Sequence, residues 1–139
     1  MKPGFSRTKY AALFFGIFIP LIETIRRWSQ LSDVRYFLFW FDDYLFGAFM
    51  IFAAVRAIKN PEQGEKFLSA AWGMATAGMF LSLVAQLDHR DQDDPAPISS
   101  VSVAWIKGIL LIVFATLLII SLKGPDGKTR NDRTNDNVQ

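Results

Sequence analysis

Five polar side chains interrupt runs that are otherwise apolar: Glu23, Asp42, Asp43, Gln86 and Lys107. A carboxylate in hydrocarbon costs several kcal/mol unless water, a proton or a partner relieves it, so acids inside "FWFDDYLFGAF" need an explanation. Three acids facing one base suit three kinds of chemistry. They can bind a cation, a proton or a polar headgroup; they can clamp helices in register; or Asp42, Asp43 and Glu23 can serve as acid and base in an intramembrane enzyme.

Other chemistries are poorly supplied. The chain has no cysteine, which excludes disulfides, thiol catalysis and thiolate metal sites. Its one histidine, His89, stands in "DHRDQDD", an acidic stretch without the spacing or central glycine of a calcium loop, and this reads as a solvated turn. No metal site and no cofactor is expected, and one loop histidine cannot build a bis-histidine haem site. Neither a serine-nucleophile motif nor a phosphate loop is present. No residue is assigned a catalytic role.

The elements that position these groups follow from composition. Hydrophobic residues make up 51% of the chain, 13 of them Phe, and the mean hydropathy is +0.22, more apolar surface than 139 residues can bury in water. The expected class is therefore an all-α membrane protein. Four apolar segments, 10–28, 36–58, 67–87 and 101–122, each approach the roughly 20 residues a helix needs to cross ~30 Å of hydrocarbon. Pro20 should bend the first, and "FIPLIETIRRW" after it reads as an uncleaved helix end rather than a secretory cleavage site. Pro95 and Pro97 separate the third segment from the fourth. Residues 1–123 form the expected transmembrane domain, and 124–139 a polar, disordered cytoplasmic tail.

Orientation comes from the basic residues, which collect on the cytoplasmic side of membranes. One side holds Lys2, Arg7, Lys9, Arg56, Lys59, Lys66 and the four cations of the tail; the other holds Arg26, Arg27, Arg35 and Arg90 beside an acidic linker. An up-down bundle of four transmembrane helices with both termini cytoplasmic is expected, multi-pass in a cell membrane, and the membrane expected is a bacterial inner membrane. Trp28, Trp40 and Trp105 then fall at the outer interface.

With that orientation, Glu23, Asp42, Asp43 and Lys107 lie roughly 7 to 11 Å below the outer interface at ~1.5 Å per residue, with Gln86 just above. Small residues set the helical phase, because they mark close helix approach in membranes. Gly47 with Asp43, Met50, Ala54 and Ala57 forms one stripe; Ala71, Ala75, Gly78, Ser82 and Ala85 form another; Ala12, Gly16, Pro20 and Glu23 form a third. Asp43, Glu23 and Lys107 are expected to point into the bundle, with Asp42 about 100° away. The cytoplasmic half offers hydroxyls but no acid or base, so no relay crosses the membrane.

Three functional readings follow. The first is a non-catalytic subunit or accessory protein packing on partner helices. The second is a small oligomeric transporter or channel with an outward-facing charged site, and the third is the intramembrane enzyme. Expected partners are the lipid bilayer and either a second copy or another membrane protein. Nucleic acid is not expected, since the basic residues lie in short clusters between apolar runs.

Overall fold

The computed structural model describes residues 3–26, 28, 37–88 and 99–124 and is all-helical in its ordered elements: α1 (Pro3–Arg26), α2 (Phe37–Lys59), α3 (Pro61–Asp88) and α4 (Ser100–Leu122). Three of them contain stretches long and apolar enough to cross a membrane, Gly4–Ile25, Pro61–Asp88 and Ser100–Leu122. Their outward faces agree: Trp105 is 71% exposed and Ile112 69%, surfaces that hydrocarbon accommodates and water does not. The molecule fits a small membrane protein.

Three of the helices, α1, α3 and α4, are longer than the apolar segments that mark them. Apolarity delimits the hydrocarbon, whereas a helix continues into the interface where its polar turns meet water. Thus α1 starts at Pro3, with proline on a helix's first position, where its missing N–H is harmless. Arg7 and Lys9, expected in a tail, are helical, and Lys9 is 5% exposed. Likewise α3 starts at Pro61, with Glu62 in its first turn near the positive end of the helix dipole.

Asn60 alone links α2 to α3. Its N–H still donates to Arg56 O at 2.9 Å, while its side-chain oxygen accepts from Gln63 N at 3.2 Å and its carbonyl from Gly64 N at 2.8 Å, capping the next helix. This reversal needs a glycine: a Cβ on Gly64 would collide with the backbone of Ala57 and stand 2.7 Å from the Arg56 carbonyl carbon. Ser99 caps α4, its Oγ accepting from Ser102 N at 3.2 Å, and Gly124 ends that helix in the left-handed conformation, φ 67°.

α1 packs chiefly on α2, α2 on α3 and α3 on α4. The buried core is Phe5, Ala12, Met50, Ala53, Ala54, Ala57, Leu68, Ala71, Trp72, Ala75 and Phe114. Edge-on contacts of Phe15 with Phe114 (5.0 Å between centroids) and Trp72 (6.2 Å) fill its centre. Between helices in lipid, packing of this kind replaces the hydrophobic drive that acts in water.

This core occupies one end of the molecule. In α3 the described buried residues stop at Ala75, and in α4 they begin at Phe114; in α1 and α2 they run from Phe5 to Pro20 and from Ala57 to Gly47. The end carrying Pro3, Asn60 and Leu122 is therefore closed. At the opposite end, among the described side chains, none is buried.

Candidate polar site at the open end

Three contacts between neighbouring helices fix which residues share a level at the open end. Between α1 and α2, Thr24 Oγ1 meets the Tyr44 hydroxyl; Thr24 itself donates to Pro20 O at 2.6 Å, so the Tyr44 hydroxyl is the donor in the pair. Between α2 and α3, the Phe46 ring lies beside Gly78, where a Cβ would stand 3.9 Å from Cε2. Between α3 and α4, Lys107 Nζ donates to Ser82 O at 3.3 Å and to Gln86 Oε1 at 2.9 Å.

Asp43 lies about one helical turn beyond Phe46 and Ser82 about one turn beyond Gly78, so Asp43, Ser82 and Lys107 occupy one layer, with Glu23 joining it through Thr24 and Tyr44. The layer is polarised. Glu23, Asp42 and Asp43 lie on the α1–α2 side, and Lys107, Gln86 and the serines at the start of α4 on the α3–α4 side. Gln86 ties the basic side together: its Oε1 accepts from Lys107 while its Nε2 donates to Ser100 Oγ at 3.0 Å, and Ser99 Oγ pairs with Ser102 Oγ at 2.8 Å. The lysine amine thus bridges two successive turns of α3, at Ser82 and at Gln86.

Helical phase separates the two aspartates. Asp43 is half-buried and Asp42 exposed, and Asp43 N–H donates to Asp42 Oδ1 at 2.9 Å. Glu23, Gln86 and Lys107 are also half-buried.

The small-residue stripes divide by level. Gly47, Ala71 and Ala75 are buried toward the closed end; Ser82 is half-buried, and Gly78 and Ala85 are exposed. The closest approach of two helices is at Gly16 and Gly47. A Cβ on Gly16 would stand 2.9 Å from the Gly47 carbonyl oxygen, and one on Gly47 would collide with the Gly16 carbonyl oxygen and come within 2.5 Å of Pro20 Cγ. Pro20 has no N–H to give the Gly16 carbonyl, so that oxygen is freed from the helix ladder and a Cα–H of Gly47 points at it.

Toward the closed end, hydroxyls return their protons to their own helices: Thr8 to Phe5 O, Thr116 to Ile112 O and Ser121 to Leu118 O, each at 2.8 Å. Two features there escape sequence reasoning. Lys9 sits buried at the closed end with its amine 5.7 Å from the Tyr10 ring centroid, and Trp72 Nε1 is a buried donor with no partner among the described residues. The pairing of Tyr44 with Thr24 and of Gln86 with Ser100 was equally invisible, because neither pair is close in sequence. The acidic stretch around His89 and the tail after Gly124 lie outside the described residues. Among the described residues, no group of His, Cys, Asp and Glu could hold a metal ion. No protein-family model, no curated protein and no solved structure matches this chain.

Proposed function

We propose that this chain is a small multi-pass membrane protein of four transmembrane helices in an up-down bundle. Its closed end and both termini face the cytoplasm, and it acts as a non-catalytic subunit or accessory protein that packs on partner helices through its open outer half. The observation that carries this reading is the one-sided core. Burial ends near Gly47, Ala75 and Phe114, and beyond them polar and small side chains stay accessible between helices that already pack tightly at the other end. A surface of that kind, with exposed Gly78 and Ala85 on α3, suits close approach by another helix. The excess of Lys and Arg at the closed end supports the orientation.

A second reading, an oligomeric transporter with an outward-facing charged site, draws support from the Lys107–Gln86–Ser100 chain. Hydroxyls turned back on their own helices toward the closed end supply no continuation of that chain, which favours the accessory reading.

The test pairs topology with composition. A reporter fused after Gln139 should be active in the cytoplasm and one inserted at Asp93 should be exposed outside; affinity purification in mild detergent should then recover a different membrane protein in fixed stoichiometry. Reversed reporters would overturn the orientation. A pure homo-oligomer would move the assignment to the transporter.

A further inference from the structure

Arg56, in the last turn of α2, stands against an aromatic ring rather than an acid: its guanidinium carbon is 5.9 Å from the centroid of Phe67 on α3. Among the described residues no carboxylate pairs with it. A π face attracts the charge but accepts few of the five N–H donors, so the fork stays open to an oxyanion. The backbone beneath is fixed. A Cβ on Gly64 would stand 2.7 Å from the Arg56 carbonyl carbon, and Asn60 alone joins the two helices, so the hairpin itself holds Arg56 beside Phe67.

Apolar surface runs from this pair toward the open end. Phe67 meets Phe52 edge-on at 5.4 Å between centroids; Leu45 lies seven residues before Phe52 and Met74 seven after Phe67, on the same sides of their helices, and all four are exposed. At ~1.5 Å per residue this strip extends roughly 10 Å beyond the aromatic pair. The charge stands at one end only. Gln63, exposed one turn before Phe67, adds an amide on the same side, and Lys59 and Lys66 are exposed cations beside the link. Glu62 and Glu65 lie about 140° and 160° round α3 from Phe67. A soluble anion uses the cationic end alone, whereas a phospholipid uses both the cation and the apolar strip.

We propose that this groove binds an anionic phospholipid of the leaflet at the closed end, its phosphodiester on the Arg56 guanidinium and the Gln63 amide and an acyl chain along Phe67, Phe52 and Met74. Net negative charge is specified because the ammonium of a zwitterionic headgroup would meet Arg56, Lys59 and Lys66 here. The inference rests on membrane insertion, and neither the orientation nor the accessory role enters it.

The experiment uses the full chain in mixed micelles and reads lipid-dependent thermal stabilisation, with lipid retention measured by native mass spectrometry. The probes are phosphatidylglycerol, phosphatidylcholine and soluble glycerol 3-phosphate. Phosphatidylglycerol should stabilise the protein most, and glycerol 3-phosphate at the same concentration should not stabilise it. Arg56→Gln should lower the affinity for phosphatidylglycerol about fivefold, and Arg56→Lys, which keeps the charge but loses the planar fork, should restore part of it. Phe67→Leu, which removes the ring beneath the guanidinium, should also weaken retention and carries the test if Arg56→Gln fails to fold. Arg7→Gln removes an exposed cation of α1 at the same end and should change nothing. Equal response to the two lipids overturns the proposal, as do equal losses in Arg56→Gln and Arg7→Gln, which would mean attraction by diffuse charge. Stabilisation by glycerol 3-phosphate equal to that by phosphatidylglycerol would identify a soluble anion and overturn the lipid.

Discussion

Gly47→Ala should destabilise the protein although it adds one methyl group. The new Cβ would stand 2.5 Å from Pro20 Cγ and 3.2 Å from Cδ, and closer still to the Gly16 carbonyl oxygen. These atoms belong to a rigid ring and a backbone, so neither can swing aside and α1 must move away from α2. Overpacking of this kind costs about 1 to 3 kcal/mol. Displacing the Cα–H contact from the Gly16 carbonyl, which Pro20 already deprives of its helix donor, adds about 0.5 to 1 kcal/mol. The better helix propensity of alanine returns up to about 1 kcal/mol. The net expectation is a loss of about 2 kcal/mol. Gly108→Ala is the control, since its Cβ meets nothing within 4 Å and only the propensity gain remains. Equilibrium unfolding of both variants and the wild type in one mixed-micelle titration measures the difference directly. A Gly47→Ala protein as stable as Gly108→Ala would refute the tight α1–α2 contact and the role assigned to Pro20.

Three further outcomes are expected. Gly64→Ala should cost about 1 to 3 kcal/mol in the same titration, because its Cβ strikes the Ala57 backbone across the one-residue link; no loss would mean the hairpin has slack. Trp72→Phe should stay within about 1 kcal/mol of wild type, since it removes a buried N–H without a described partner, whereas Trp72→Ala should cost about 3 to 5; equal losses would reveal a partner for the indole. Lys107→Met and Asp43→Asn should each cost about 3 kcal/mol or more if the two charges interact across the layer, and the double variant should cost less than the sum; additive losses in the cycle would separate them.

Much of the architecture is legible in the residues themselves. Long apolar runs bounded by Asn60-Pro61 and by Ser99 mark helices and their ends through chemistry that is local: a proline without a donor, an asparagine or serine oxygen for an orphan amide. The starts of α1 and α3 are less legible, because an apolar run reports where hydrocarbon begins and not where a helix does; Arg7, Lys9 and Glu62 are helical despite their charge. A stripe of small residues reports the phase of a helix but not the distance to its neighbour. Gly47 lies against Gly16, whereas Gly78 is exposed with only Phe46 at contact distance. The candidate site divides in the same way. That Glu23, Asp43, Gln86 and Lys107 lie toward the same end of their helices follows from counting residues, but the bonds among their neighbours, Thr24 to Tyr44 and Gln86 to Ser100, join residues 20 and 14 positions apart and depend on how the helices pack.

The central claim is that a polar, water-accessible mouth opens on the outer side of a membrane-embedded bundle, and a chain without cysteine allows it to be measured site by site. Ser100→Cys, Ser82→Cys and Ser121→Cys variants, expressed singly in intact cells, are exposed to a membrane-impermeant maleimide. Ser100 stands at the start of α4, Ser82 is half-buried one layer deeper, and Ser121 is buried at the closed end. Labelling should be fast at position 100, slower but complete at 82, and absent at 121 until the cells are permeabilised and the protein is unfolded in denaturant. Protection of both 82 and 100 in intact cells, or labelling of 121 from outside, would contradict the account.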